Sequence, residues 1–345
     1  MRSFSLPIIF LFGLLLTVKI PYTPIHAAPD LTKEYNKSDT TFFTYSEISG
    51  IGIDPEYNRR DPSDIIKVNN TYYIWYTRMD SPQTSGYWGT IWYATSTDEG
   101  HSWQEQGMAL DLGEKGKFDH HSVFTPNILV YEGKYYLYYT GVRPTPGNEQ
   151  EAFENNAKND FTAIGLAVAD QPDGPFRRVQ NNPVLNIAAD STNFDSYRID
   201  DAALMVKDNK INLYYKGRSK IHGKKGPKLT KMNVAIADHP TGPFIKNPSP
   251  VMDRSHEVLI WQQDGGIASL ASLSKSVFFS ENGLEFHPIQ QNIDHIPMAP
   301  GLYRPHLENG NQSKVKPEWG IAMIQKKGLT YLIRFKMNGN STDNN

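Results

Sequence analysis

The chain has 345 residues, of which 21% are charged and 39% hydrophobic, and its formal net charge is −2. This composition is that of a folded protein and not of a disordered one, and near-neutral charge gives no electrostatic footprint for nucleic acid. The chain has no cysteine, which excludes disulfides, catalysis by a thiolate and thiolate metal sites.

The first residues have the pattern of a targeting segment. Arg2 precedes the apolar run Leu6 to Val18, and His26-Ala27-Ala28 follows as a small-residue cleavage zone. The run is shorter than the ~20 residues that a membrane span needs. No cysteine follows it that could carry a lipid anchor. We therefore predict a cleaved signal peptide at residues 1–28, no membrane span, and a periplasmic or secreted protein.

The remaining chain is predicted to form one domain with short flanking segments. Residues 29–50 form an N-terminal extension, residues 51–338 the main domain, and residues 339–345 a polar tail. From Ile65 onward, short strands alternate with Gly, Asn and Asp at hairpin spacing, and no long amphipathic helix is evident. The aromatic stretch near residues 42–46 predicts an additional strand.

Five segments repeat one pattern, in which a polar residue precedes a short apolar strand. They read RRDPSDIIKV, FDHHSVFTPNILV, YRIDDAALMV, SHEVLIW and LYRPHLENG, and the aromatic strands TYYIWYT, KYYLYYT and NLYYKG follow the first three. Regular repetition of a small sheet is typical of a propeller. We predict an all-β fold, a five-bladed β-propeller with a central active-site cavity. The predicted blades span residues 61–110, 119–186, 197–252, 255–292 and 302–337, and the strand near 42–46 closes the ring.

Ser96 to Trp103 fits the pattern S-x-D-x-G-x-x-W of the Asp-box hairpin found in many propellers, and Ser280 to Phe286 is a degenerate copy. In such a turn, the Asp side chain binds turn amides and the Trp packs between sheets. We interpret both segments as structural devices rather than as substrate contacts.

Acidic residues stand ahead of three of the predicted innermost strands. In a propeller these positions converge on one cavity, so Asp61, Asp201 and Glu257 are expected to meet there although they are far apart in sequence. Asp64 is the alternative to Asp61. Asp200 is the alternative to Asp201, because adjacent residues on a strand point to opposite faces and only one can face the cavity squarely.

Three acids in one cavity suit glycoside hydrolysis. One carboxylic acid protonates the leaving oxygen, a second carboxylate activates water, and a third raises the pKa of the acid. His256 is a further candidate for the general acid. His256 and Glu257 both reach the cavity only if the backbone bulges there.

Other polar and aromatic residues are candidates for binding sugar. His120 and His121 open the second blade, and adjacent histidines on a strand cannot chelate one metal, so hydrogen bonding to sugar hydroxyls is the better interpretation. Tyr303 and Arg304, at the predicted head of blade five, are expected to meet substrate, a cavity carboxylate or a structural carboxylate. Trp92 is a candidate aromatic contact. No cofactor motif and no protein-ligated metal site is evident, whereas a divalent cation held through water would leave no readable spacing.

The strand heads RDPSDIIKVNNTYYIWYT, FTPNILVYEGKYYLYYT and IDDAALMVKDNKINLYYKGR resemble the five-bladed propeller glycosidases of the GH43 type. The segments GIGIDPEYNRRDPSD, GYWGTIWYATS, VFTPNILV, TPGNEQEAFENN, FDSYRIDDA and SHEVLIW more specifically resemble glycoside hydrolase family 117, over a region from about Gly50 to Phe335. This resemblance implies an inverting, exo-acting hydrolase that releases 3,6-anhydro-L-galactose from the non-reducing end of neoagaro-oligosaccharides.

The same resemblance implies roles for individual residues. Asp61 corresponds to the general base, and Asp201 (or Asp200) to the residue that orients the acid and modulates its pKa. Glu257 corresponds to the third acidic site residue, and His256 is a candidate proton donor.

The sequence departs from the family pattern at two places. Residues 29–50 do not have the pattern of the helical pair that is swapped between protomers, so a homodimer of that kind is not expected. His120-His121 stands where a Ser-Gln pair is expected, which points to a related red-algal galactan fragment as an alternative substrate. The other interpretations are a different algal galactan or arabinan-type oligosaccharide as substrate, a non-catalytic glycan-binding propeller, and a phosphorylase whose phosphate would meet Arg59, Arg60 and Arg304.

Overall fold

The structure is a computed structural model that describes residues 42–79, 89–143, 161–256, 258–305, 317–326 and 328–338. The predicted signal peptide and polar tail lie outside these residues. Within them, no helix has the length and apolar character that crossing a bilayer requires. The helical segments described are two 3-10 helices, at Lys220–Lys228 and Ser272–Ser274.

The strands form five antiparallel sheets, which we call blades one to five. Blade one contains β2 (Asn58–Arg60), β3 (Ile66–Val68), β4 (Thr71–Met79), β5 (Thr90–Ser96) and β6 (Gln104–Leu110). Blade two contains β7 (Ser122–Tyr131), β8 (Lys134–Arg143), β9 (Phe161–Ala169) and β10 (Arg177–Arg178). Blade three contains β11 (Arg198–Lys207), β12 (Lys210–Arg218), β13 (Lys231–Ala237), β14 (Ile245–Lys246) and β15 (Met252–Asp253). Blade four contains β16 (Val258–Gln263), β17 (Gly266–Ala271), β18 (Ser276–Ser280) and β19 (His287–Gln290). Blade five contains β1 (Phe43–Ser46), β20 (Met298–Leu302), β21 (Trp319–Lys326) and β22 (Leu329–Met337).

The hydrophobic core is divided into five layers, one between each pair of neighbouring blades. The layer between blades one and two contains Trp75 and Leu137, and the layer between blades five and one contains Ile74 and Trp319. The remaining three layers join blades two and three, three and four, and four and five. Since each inner strand packs on both faces, segments such as β8 are apolar almost throughout, with little alternation.

The ring is closed by strands from the two ends of the described chain. β1 pairs antiparallel with β22, with Phe43 opposite Met337, and the Asn338 amide donates to the Phe42 carbonyl at 2.9 Å. Together with the five sheets, this pairing confirms the prediction of an all-β, five-bladed propeller, and it buries the edge that the last strand would otherwise expose.

The start of blade five was predicted wrongly. Its innermost strand is Met298–Leu302, so Tyr303 and Arg304 follow this strand and do not lead into it. The segment MAPGL contains a proline and a glycine, which weaken a strand signal in sequence. Met298 and Ala299, which line the cavity from this blade, therefore precede Tyr303 and Arg304, the residues that the sequence pattern singled out.

The Asp-box hairpin has the expected contacts. The Asp98 carboxylate accepts from the Ser102 amide at 2.9 Å, and Trp103 is buried between blades five and one. In the degenerate copy, Asn282 takes the place of Asp98 and accepts from the Leu284 amide at 2.8 Å. Both turns stabilise outer hairpins and lie apart from the lining of the cavity described below.

Candidate active site

The innermost strands share a backbone irregularity that decides which side chains face the axis. Pairing slips between Phe124 and Asn127, between Asp200 and Ala203, and between Met298 and Gly301. At each slip one residue has a positive φ: Thr125 (45°), Asp201 (55°) and Ala299 (41°), and Asp61 (48°) has the same conformation between β2 and β3. Such bulges turn two consecutive side chains toward one side. The equivalent residue of blade four, Glu257, lies outside the described residues.

A cavity of about 490 Å³ lies at these bulges. Its lining comprises Arg60, Asp61, Phe124, Thr125, Asp200, Asp201, Lys216, His256, Ser272, Leu273, Ile296, Pro297, Met298, Ala299, Met323 and Gln325. Four of the side chains singled out in the sequence are therefore brought together: Asp61, Asp200, Asp201 and His256. The expectation that only one of the adjacent aspartates could face the cavity was wrong, because the bulge at Asp201 aims both of them into it.

Asp61 is held by its neighbour in sequence. The Arg60 Nε lies 2.7 Å from the Asp61 Oδ2, and both residues are buried. A charge-assisted hydrogen bond of this length fixes the orientation of the carboxylate. Asp61 thus presents a positioned oxygen acceptor to the cavity.

Lys216 is a site residue that the sequence analysis missed. It lies on β12 opposite Asp200, and its Nζ is 2.6 Å from the Asp201 Oδ2 and 3.3 Å from the Asp200 Oδ1. The corresponding partners in blades one and two are Thr77 and Thr140. A signal was present in the sequence, because NLYYKG carries a lysine where TYYIWYT and KYYLYYT carry threonine. A buried lysine requires an acidic partner, and here it has two.

The two adjacent aspartates have opposite pKa shifts. Burial alone would raise the pKa of Asp200, but the positive charges of Lys216, Arg198 and Arg218 hold it below its usual value. For Asp201, burial raises the pKa to about 7, with repulsion from Asp200 and Asp61 adding to the rise and Lys216 opposing it. Asp201 is therefore the more readily protonated of the two aspartates.

His256 is a neutral imidazole in this environment. The positive charge of Lys216 and, next, burial lower its pKa to about 2, although Asp200 acts in the opposite direction. A neutral imidazole has no proton acidic enough to give to a leaving sugar oxygen. The lowered pKa thus disfavours the predicted role of His256 as the proton donor and favours a role as a hydrogen-bonding side chain.

Replacing Lys216 by methionine is expected to move the pH dependence of activity. The ammonium group stabilises the Asp201 carboxylate, so its removal raises the pKa of Asp201 above about 7. In the Lys216→Met variant, the limb of the kcat/KM profile that reports Asp201 should move to higher pH by at least about one unit. In the Lys216→Arg variant, which keeps a positive charge, this limb should lie close to its wild-type position. The measurement is kcat/KM from pH 4 to 10. A limb that stays in place or moves to lower pH in the Lys216→Met variant would contradict the contact between Lys216 and Asp201.

Asp64 and Arg304 lie together away from the cavity lining. Arg304 Nη2 is 2.7 Å from the Asp64 Oδ2, and the guanidinium donates to the carbonyl oxygens of Leu204 at 3.0 Å and Ile260 at 2.8 Å. The other Asp64 oxygen accepts from the Leu302 amide at 2.9 Å. Burial raises the pKa of Asp64, and Arg304 opposes that rise. The pair ties blades one, three, four and five together, so we assign it a structural role, which for Arg304 is the structural-carboxylate alternative given above.

The remaining sugar-binding candidates also lie apart from the described lining. Tyr303 stacks on Trp319 with ring centroids 5.1 Å apart. Trp92 packs under the Arg78 guanidinium, 3.8 Å from the ring centroid. The His120 Nδ1 contacts the Lys117 carbonyl at 2.8 Å, and His121 is buried three residues before the cavity-lining Phe124. Within the described part of the chain, no three His, Asp or Glu side chains are arranged to hold a metal ion.

Comparison with known proteins agrees with this geometry. The model of the family described as glycosyl hydrolases family 43 matches residues 56–237. A family 117 glycoside hydrolase from the marine bacterium Zobellia galactanivorans is 28% identical, with a TM-score of 0.72, and covers 86% of this chain and 90% of its own. The endo-arabinase of Bacteroides thetaiotaomicron is 13% identical with a TM-score of 0.54, over 86% and 99%. A family 43 enzyme from Xanthomonas citri is 15% identical with a TM-score of 0.56, over 88% and 93%.

The endo-arabinase and the Xanthomonas citri enzyme have such low sequence identity to this chain that their similarity shows only a shared fold. No curated protein sequence matches the chain. The family model covers more than half of the chain, and the similarity to a family 117 enzyme confirms the resemblance expected from the sequence motifs. The chain is thus a glycoside hydrolase that belongs to glycosyl hydrolases family 43 and is related to family 117.

Proposed function

We propose that this protein is an exo-acting, inverting glycoside hydrolase that releases 3,6-anhydro-L-galactose, or a related anhydro-galactose, from the non-reducing end of neoagaro-oligosaccharides or similar red-algal galactan fragments. The observation that carries the proposal is the convergence of Asp61 and Asp201 on one cavity, each at the bulge of a different blade. Paired carboxyl groups around one cavity are what glycosidic bond hydrolysis requires.

In the proposed reaction, Asp61 is the general base. Its carboxylate removes a proton from a water molecule, and that water attacks the anomeric carbon on the face opposite the leaving group. Arg60 keeps the carboxylate in place at 2.7 Å. The leaving oxygen receives its proton from a carboxylic acid. Glu257, the third acidic residue that the family resemblance implies for the site, is the proposed donor, and Asp201 of the neighbouring blade orients the acid and modulates its pKa.

Two observations support the substrate class. The 28% identity to a family 117 hydrolase extends over 86% of this chain, so the similarity includes all five blades. The cavity volume of about 490 Å³ falls in the range of about 300–1,000 Å³ that is typical of small-ligand sites.

NMR product analysis on defined oligosaccharides tests the proposal. Neoagarobiose and neoagarotetraose are expected to lose one terminal anhydro-galactose, and the anomeric signal that appears first should have the configuration opposite to the cleaved bond. Carrageenan-derived and arabinan-derived oligosaccharides of equal length serve as controls. Retention of configuration, internal cleavage, or binding of all these sugars without turnover would contradict the proposal.

The phosphorylase interpretation loses most of its basis in the structure. Of the three arginines that were candidates for phosphate binding, Arg59 is bound by Glu105 at 3.0 Å and Arg304 by Asp64 at 2.7 Å. Arg60 lines the cavity but lies 2.7 Å from Asp61. With these cations neutralised by carboxylates, hydrolysis by water is the better supported reaction.

A further inference from the structure

The five blades can be compared at three equivalent positions around the cavity: the two bulge residues and the facing residue of the second strand. In blade three these residues are Asp200, Asp201 and Lys216, which are all charged. In blade five they are Met298, Ala299 and Met323, which are all apolar. The backbone is the same in both blades, because Asp201 and Ala299 share the positive φ of the bulge. Blade five therefore presents methyl and thioether groups where blade three presents charge.

Blade four extends this apolar surface. Leu273 lies in the short 3-10 helix that follows β17 of blade four, and it also lines the cavity. Met298 is 41% exposed, which is unusual for a large apolar residue on an innermost strand. Met298 also lines the cavity. We call Leu273, Met298, Ala299 and Met323 the apolar sector.

The apolar sector and the charged residues occupy different parts of the ring. Innermost strands contact each other in sequence order, and β2 of blade one contacts β21 of blade five. Blade five thus lies between blades four and one, on the side of the axis away from blades two and three. The lining carboxylates and Lys216 therefore belong to blades one and three, whereas the apolar sector belongs to blades four and five, where Ser272 and Gln325 adjoin it.

A sugar ring with a full set of hydroxyl groups does not match such a cavity. Hydroxyl groups turned toward the apolar sector would lose their hydrogen bonds to water without gaining new ones, which disfavours binding. A ring face without a free hydroxyl loses no hydrogen bonds when it contacts the apolar sector, and the contact buries apolar surface. Anhydro-bridged, deoxy and O-methylated sugars have such a face.

We propose that the apolar sector is the specificity determinant of this enzyme, and that it receives the hydroxyl-poor face of the terminal sugar while the carboxylates meet the glycosidic bond. The proposal rests on the proposed function in one respect, since it takes this cavity as the substrate site. It goes further by stating which residues distinguish an anhydro sugar from its hydroxylated counterpart.

Binding of two monosaccharide probes tests it: methyl 3,6-anhydro-α-L-galactopyranoside and methyl α-L-galactopyranoside. The wild-type protein should bind the anhydro probe at least about tenfold more tightly. Met298→Gln and Met323→Gln place an amide of similar length in the sector and should each reduce this ratio about tenfold. Met323→Leu keeps the surface apolar and should leave the ratio within about twofold. Dissociation constants are obtained by NMR titration, and Met298, being partly exposed, can be replaced with little risk to folding.

Equal binding of the two probes by the wild type, no binding of the anhydro probe, or an unchanged ratio in both Gln variants would overturn the proposal. These binding measurements do not require turnover. Failure of the proposed function appears instead as a wild-type protein that leaves neoagarobiose intact. The two outcomes are read in separate assays and are distinguishable.

Discussion

Replacing Asp61 by asparagine is expected to lower kcat by about 10²–10⁴-fold, the contribution of a positioned general base. Asparagine has the shape of the carboxylate and can still accept the hydrogen bond from Arg60, so the cavity keeps its form. It cannot take a proton from water. Because the loss concerns the chemical step, KM should change by less than about threefold. Steady-state kinetics on neoagarobiose, with far-UV circular dichroism as a folding check, provides the measurement.

Asp64→Asn is the matched control. Asp64 is three residues away and equally buried, but it binds Arg304 and the Leu302 amide and does not line the cavity. Its asparagine variant is expected to unfold at a lower temperature and to retain a kcat within about threefold of wild type per folded molecule. The pair of variants decides between the two aspartates of the RRDPSD segment. An active Asp61→Asn variant would remove Asp61 from the reaction.

Replacing Arg304 by methionine is expected to lower the free energy of unfolding by about 3–5 kcal/mol, the cost of removing one partner of a buried ion pair. The substitution leaves the Asp64 carboxylate buried without its cation, and it removes the donors to the Leu204 and Ile260 carbonyl oxygens. Urea denaturation followed by tryptophan fluorescence measures the change. A loss below about 1 kcal/mol would show that the guanidinium does not tie the blades together.

The deficit of the Arg304→Met variant should depend on pH in a defined direction. Burial raises the pKa of Asp64 and Arg304 opposes the rise, so removing the arginine raises the pKa further. A carboxyl whose pKa is higher in the folded than in the unfolded state gains folded-state stability as pH falls through that pKa. The deficit relative to wild type should therefore be smaller at pH 5 than at pH 8. Adding Asp64→Asn to the variant should restore about 1–2 kcal/mol at pH 8.

The architecture was readable in the sequence because repetition is a strong signal. Polar strand heads recur five times, aromatic strands follow the first three of them, and the fold has five blades. Where the repeat was weak, the predicted start of the blade was wrong. The innermost strand of blade five is MAPGL, whose Pro300 and Gly301 do not have the appearance of a strand, so Tyr303 and Arg304 were placed at the wrong end of it.

The candidate site was predictable in its chain positions and less so in its local geometry. Asp61, Asp201 and His256 were located because a propeller brings strand heads together. The presence of both Asp200 and Asp201 in the cavity could not be derived, since a bulge overrides the alternation that a regular strand imposes. Lys216 lies on the second strand and reaches the site through the pairing of β11 with β12, so its only mark in the sequence is a lysine where two other blades carry threonine.

The pairing of β1 with β22 has a consequence for how activity and folding are linked. Asp61 and Asp201 line one cavity only while the ring of blades is closed, and the pairing of the first and last described strands closes it. A nascent chain that lacks β22 already contains both aspartates. It lacks the closed ring that brings their side chains into one cavity. Turnover should therefore vanish together with tertiary structure in a denaturant series, and two separately produced halves should regain it only on reassociation.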